Sequence, residues 1–65
     1  MNVRVNGEPR SIVAETVAGL LRELEAPETG VAVAVNGTVV PRSERETRVL
    51  RPNDDIEVLR AVGGG

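Results

Sequence analysis

The chain contains no cysteine, no histidine, no lysine and no aromatic residue in its 65 positions. Each absence removes a class of chemistry. Without Cys there is neither a disulfide framework nor a thiol nucleophile. Without His the commonest general base is missing, so Ser11 and Ser43 have nothing to activate them. Without Lys there is no side-chain amine for Schiff-base or isopeptide chemistry. A nucleic-acid binder would carry a basic face with stacking aromatics; here eight Arg stand against ten Asp plus Glu, for a net charge of −2. No apolar run approaches the ~20 residues of a membrane span, and no signal-peptide pattern follows Met1. The expectation is a soluble, cytosolic domain with no nucleic-acid or membrane partner. A chain near this size buries only about 60% of its unfolded surface, which leaves no room for an enclosed active site beside a core.

What is present reads as alternating strands around one helix. Val3 and Val5 alternate with Asn2, Arg4 and Asn6, the pattern of a half-buried strand. Asn6-Gly7 signals a hairpin, because both residues tolerate positive φ. Glu8 and Pro9 are expected to lengthen that turn, with a second strand around Arg10–Val13. The period then changes. Val17, Leu20, Leu21 and Leu24 form one apolar helical stripe, with Thr16 as N-cap. Arg22, Glu23 and Glu25 lie on the wet side, and Pro27 stops the helix near Ala26. Gly19 inside the helix costs about 1 kcal/mol relative to Ala, and a close helix–sheet contact is the usual reason for one.

Gly30 releases a third strand, in which Val31, Val33 and Val35 face the helix while Ala32 and Ala34 line the opposite face. Asn36-Gly37 is a second turn, followed by Thr38-Val39-Val40, which Pro41 ends. Ser43–Arg48 reads as a loop or single helical turn, Val49 and Leu50 return to the core, and Pro52 to Asp55 form a link. The last strand, Ile56–Val62, turns Ile56 and Val58 inward and Glu57, Leu59 and Ala61 outward.

A helix of about ten residues does not stand alone in water, so it must lie across the sheet. The economical arrangement is an α+β roll of the β-grasp type: a mixed four- or five-stranded sheet with one helix packed across one face. Ala32, Ala34, Leu59 and Val39 then cluster on the open face. A contiguous apolar patch favours docking, whereas scattered apolar residues are ordinary sheet surface; the residues leave both readings open. Asp54-Asp55 and Glu23/Glu25 are the acidic pairs a metal might be sought at, but a turn and a solvated helix face explain them, and no metal site is expected.

The domain is expected to span 1–62, followed by a flexible glycine tail, 63–65. Gly63-Gly64-Gly65 disfavours regular structure and tolerates close approach by another backbone. Extended, three residues reach roughly 10 Å, enough to carry the Gly65 carboxylate into a narrow cleft. A frayed end is the plain alternative.

The chain resembles the ThiS-type sulfur carriers of thiamine thiazole synthesis, within the ubiquitin-like β-grasp group. The resemblance runs through Val3-Arg4-Val5-Asn6-Gly7-Glu8, Thr16-Val17, Leu20-Leu21, Val33-Ala34-Val35-Asn36-Gly37, Val39-Val40-Pro41-Arg42 and Asp55-Ile56-Glu57-Val58. It closes on Ala61-Val62 ahead of Gly64-Gly65. Asp54 stands where the family often has Gly, and Gly63 where a larger residue is common. The resemblance implies that the chain is not an enzyme but a protein co-substrate, monomeric when free, with no cofactor of its own. An E1-like (ThiF-type) adenylyltransferase would use ATP and magnesium to convert the Gly65 carboxylate to an acyl-adenylate. Sulfur from a donor such as a cysteine desulfurase would then give a thiocarboxylate, which a ThiG-type thiazole synthase receives. Gly64 is the required neighbour and Gly63 a spacer. Arg42 joins the sheet-face residues as a contributor to partner recognition, with a solvated surface Arg as the alternative. A molybdopterin synthase small subunit uses the same fold and tail but commonly has an aromatic residue near its diglycine, and a protein modifier would acylate a foreign lysine instead.

Overall fold

The structure is a computed structural model describing residues 1–27 and 29–60. The expected boundary between domain and tail, the outward-facing Ala61 and the glycines 63–65 lie outside the described residues. Five strands form one mixed sheet: β1 (Asn2–Val5), β2 (Glu8–Ser11), β3 (Val31–Val35), β4 (Thr38–Val39) and β5 (Asp55–Arg60). Helix α1 is Val17–Glu23, and a 3-10 turn covers Arg42–Glu44. The strand order is β2-β1-β5-β3-β4. β5, last in the chain, therefore sits centrally, parallel to β1 and antiparallel to β3.

The core is wholly aliphatic. Val17, Leu20 and Leu21 of α1 form one buried cluster with Val3, Val33, Val35 and Ile56 of the sheet, closed by Ile12, Val40 and Leu50. The stripe expected for α1 is the face it buries, with Leu24 packed at the edge of the cluster. Its N-terminus is fully supplied with acceptors. The Gly19 N–H donates to Thr16 Oγ1 at 3.1 Å, the Val17 N–H to the Arg48 carbonyl and the Ala18 N–H to the Arg45 carbonyl. Glu23 is exposed as expected, but its carboxylate also accepts from the N–H groups of Val13 and Ala14.

Several local expectations are corrected. Asn6 and Gly7 adopt φ of 52° and 83°, so the first turn has only two residues and Val5 pairs directly with Glu8. Glu8 and Pro9 therefore belong to β2 rather than to the turn. Pro9 is tolerated because β2 is an edge strand. The second strand ends at Ser11, with Ile12 still bonded to Met1 and Val13 exposed. The helix stops before Pro27 rather than against it. Glu25 turns left-handed at φ 57°, the Ala26 N–H reaches back to the Leu21 carbonyl, and the Glu25 N–H to that of Arg22. This is the Schellman arrangement, which satisfies the last carbonyls.

Gly19 meets no sheet residue. A Cβ there would lie 3.3 Å from Thr16 Oγ1 and 3.4 Å from the Ala14 Cβ, so the close approach is to the helix's own capping loop. Val49 does not return to the core. It is 52% exposed and bridges Thr16; successive extended residues point to opposite sides, so only Leu50 turns inward. Val40 is likewise buried just beyond the two-residue β4.

Candidate docking face and the root of the tail

The register of β3 brings the expected surface residues together. Ala32 lies opposite Leu59, and Ala34 lies between Glu57 on β5 and Val39 on β4. The branched partners of the same strand, Val33 and Val35, are buried against the helix. Period-two alternation therefore forces the alanines onto the face that α1 leaves uncovered. Leu59 is 63% exposed and Val39 69% exposed, while Ala32 is exposed and Ala34 half-buried between its neighbours. Four apolar side chains from three adjacent strands thus share one patch, and Glu57 places a carboxylate in its middle. Toward β1 the same register pairs Arg4 with Asp55, so the patch passes into a polar margin.

Arg42 is placed elsewhere. It lines a cavity with Ala18, Leu21 and Arg22 of α1, on the helix side of the molecule. Gly63, Gly64 and Gly65 lie outside the described residues. What is described is the strand they follow. β5 is paired with β3 as far as Arg60, opposite Val31, and with β1 at Val5. Beside its end lies a hollow of about 260 Å³ lined by half-buried Val5, Leu24, Ala26 and Val58 together with exposed Glu8, Arg10 and Arg60.

The two Asn-Gly turns do more than reverse the chain, a role the residue pattern alone did not reveal. Asn6 Oδ1 accepts from the Val58 N–H at 2.8 Å, and its Nδ2 donates to the Val58 carbonyl at 3.2 Å. Asn36 Oδ1 accepts from the Asp55 N–H at 2.9 Å, and its Nδ2 donates to Asp54 Oδ1 at 3.0 Å. Asp54 in turn takes the Arg51 N–H on Oδ2 at 2.8 Å. The Asp54 carboxylate is thus engaged in the turn. Asparagine at both first turn positions was the available signal, since Asp or Gly satisfies the turn equally well but lacks the amide's paired donor and acceptor.

A model of the ThiS family matches residues 3–65. The chain belongs to the ThiS family. It is 36% identical over 63 residues to the sulfur carrier protein ThiS of Thermus thermophilus, covering 97% of this chain and 98% of that protein. The crystal structure of a thiamine biosynthesis protein, ThiS, from Geobacter metallireducens superposes with a TM-score of 0.84 at 35% identity, with both chains fully covered. The mixed five-stranded sheet with one helix is therefore the β-grasp of the ThiS family. The chain is also 41% identical over 66 aligned positions to a thiazole synthase of Magnetococcus marinus. It covers all of this chain but spans only about a fifth, 20%, of that protein's length.

Proposed function

We propose that this ThiS-family chain is a sulfur carrier of thiamine biosynthesis whose working group is the carboxylate of Gly65. The observation that carries the reading is the full-length likeness to a sulfur carrier of the same size, with the family match running through the terminal glycines. A carboxylate of ordinary pKa, about 3.5, is an anion at neutral pH and resists nucleophiles. An adenylyltransferase using ATP and magnesium supplies the activation: a Gly65 oxygen bonds to the α-phosphorus and pyrophosphate leaves. Sulfur drawn from cysteine through a desulfurase is carried as a persulfide; a thiol reduces it, forming a disulfide and releasing hydrosulfide, which then attacks the carbonyl carbon. AMP departs with the bridging oxygen, leaving a thiocarboxylate and a released proton.

The chain supplies no catalytic side chain to these steps. Its sheet face, Ala32, Ala34, Val39 and Leu59, gives recognition, and the tail gives delivery. Glycine suits positions 64 and 65 because a side chain there would crowd the acyl carbon in a narrow channel. A thiazole synthase is the receiving partner; the likeness to part of one such enzyme supports an association close enough for one polypeptide to hold both functions. Deleting Gly65, or adding one residue beyond it, should abolish sulfur transfer while the amide spectrum stays folded. Full-rate sulfur acquisition by the untrimmed extended protein would overturn this reading.

A further inference from the structure

Arg45 carries a buried charge with no counter-charge among the described residues. It is 8% exposed, and its Nη2 donates to the Val31 carbonyl. Its Nε is sealed from solvent with no acceptor among the described residues. No described carboxylate pairs with it; the ion pair nearby is Arg22 with Glu46. Burying a guanidinium costs several kcal/mol unless it is paired and hydrogen-bonded, and here the Nε donor is left without an acceptor. Arg45 ties the 3-10 turn to two elements: its carbonyl accepts from the Ala18 N–H of α1, and its side chain donates to β3.

The side chain lines a cavity of about 250 Å³ between α1 and the 3-10 turn. Arg42 and Arg22 line it too, from the turn and the helix, with Ala18, Leu21 and Ala26 as its apolar wall. Three arginines thus line a space several water volumes in size, at about 30 Å³ each, and among the described residues the carboxylate lining it is that of Glu46, which Arg22 already engages. Apolar walls strengthen charge pairing inside such a space. The guanidinium fork is matched to an oxyanion through two parallel donors, and arginines approaching from both the 3-10 turn and α1 suit a tetrahedral oxyanion better than a planar one.

We propose that the cavity between α1 and the 3-10 turn is a binding site for a phosphate-type oxyanion, held by Arg45 and Arg42. The absence of aromatic residues leaves no stacking platform for a base, so recognition falls on the phosphate, whether free or at the end of a nucleotide.

The test follows the Nε–Hε cross-peak of Arg45 in the 15N-labelled full chain during titration with inorganic phosphate, AMP and acetate at matched ionic strength. Phosphate should move the peak saturably and acetate should not. AMP binding tighter than phosphate would identify a nucleotide as the source, and equal or weaker AMP binding would identify the free ion. Arg42→Ala, an exposed position that leaves the core intact, should weaken the affinity about tenfold, the loss of one charge-assisted hydrogen bond. A shift that grows without saturation, an equal response to acetate, or an unchanged affinity in Arg42→Ala would overturn the proposal.

Discussion

The side-chain amide of Asn6 occupies both backbone hydrogen-bonding groups of Val58, 52 residues away in sequence. Asn36 makes the corresponding contact with the Asp55 N–H. Because β1 runs parallel to β5 and β3 antiparallel, the turns that follow them lie at opposite ends of β5. The central strand is therefore held at its first residue, Asp55, by Asn36 and within its second half, at Val58, by Asn6.

Asn6→Gly keeps the positive φ and removes both side-chain bonds, and should lower stability by about 1–2 kcal/mol. Asn6→Ala should cost a further 1–2 kcal/mol or so, because Ala resists the left-handed conformation. Urea denaturation of the two variants separates the terms; a Gly variant as stable as the parent would show that the amide clamp contributes nothing.

Glu25 is a helix-terminating residue in a conformation that favours glycine, with φ 57°. Glu25→Gly relieves that conformation and should raise stability by about 0.5–1 kcal/mol after its greater unfolded-state entropy is counted. For a domain of this size that is an upward shift in Tm of about 2–8 °C. A lower Tm would mean the Glu25 side chain contributes more than its backbone strain costs.

Ala34 lies opposite Glu57, so Ala34→Arg introduces a cross-strand opposite-charge pair and should change stability by less than about 0.5 kcal/mol. Calorimetry with the adenylyltransferase or the thiazole synthase should nonetheless show binding weakened about tenfold or more. Equal binding would remove the docking role of this face.

The order of elements was legible in the residues because two signals are strong here. Valine alternation marks the strands, and the spacing of Val17, Leu20, Leu21 and Leu24 marks the helix. The two Asn-Gly turns were legible for the same reason, since few dipeptides accept positive φ twice. The boundaries were less so. Pro9 looks like a turn residue until β2 is known to be an edge strand, and Glu25 gives no warning that the helix ends in a left-handed residue ahead of Pro27. Alternation decides which face Ala32, Ala34, Val39 and Leu59 share, and the register of β3 puts them in one patch on the face opposite the helix. Arg42 was grouped with that patch on its family position alone, and only the path of the 3-10 turn shows that it faces α1. The role of Arg45 was not legible, and the choice of Asn at position 6 was the one hint of its clamp, because both act on backbone groups distant in sequence.

The proposed chemistry converges on one carboxylate oxygen of Gly65, the one that sulfur replaces. Intact-mass analysis of the full chain, after incubation with the adenylyltransferase, ATP, magnesium and a sulfur source, tests it most directly. The mass should rise by the exchange of one oxygen for one sulfur, located by fragmentation at Gly65 and dependent on ATP. An unchanged mass with active enzyme present, or sulfur located anywhere other than Gly65, would contradict it.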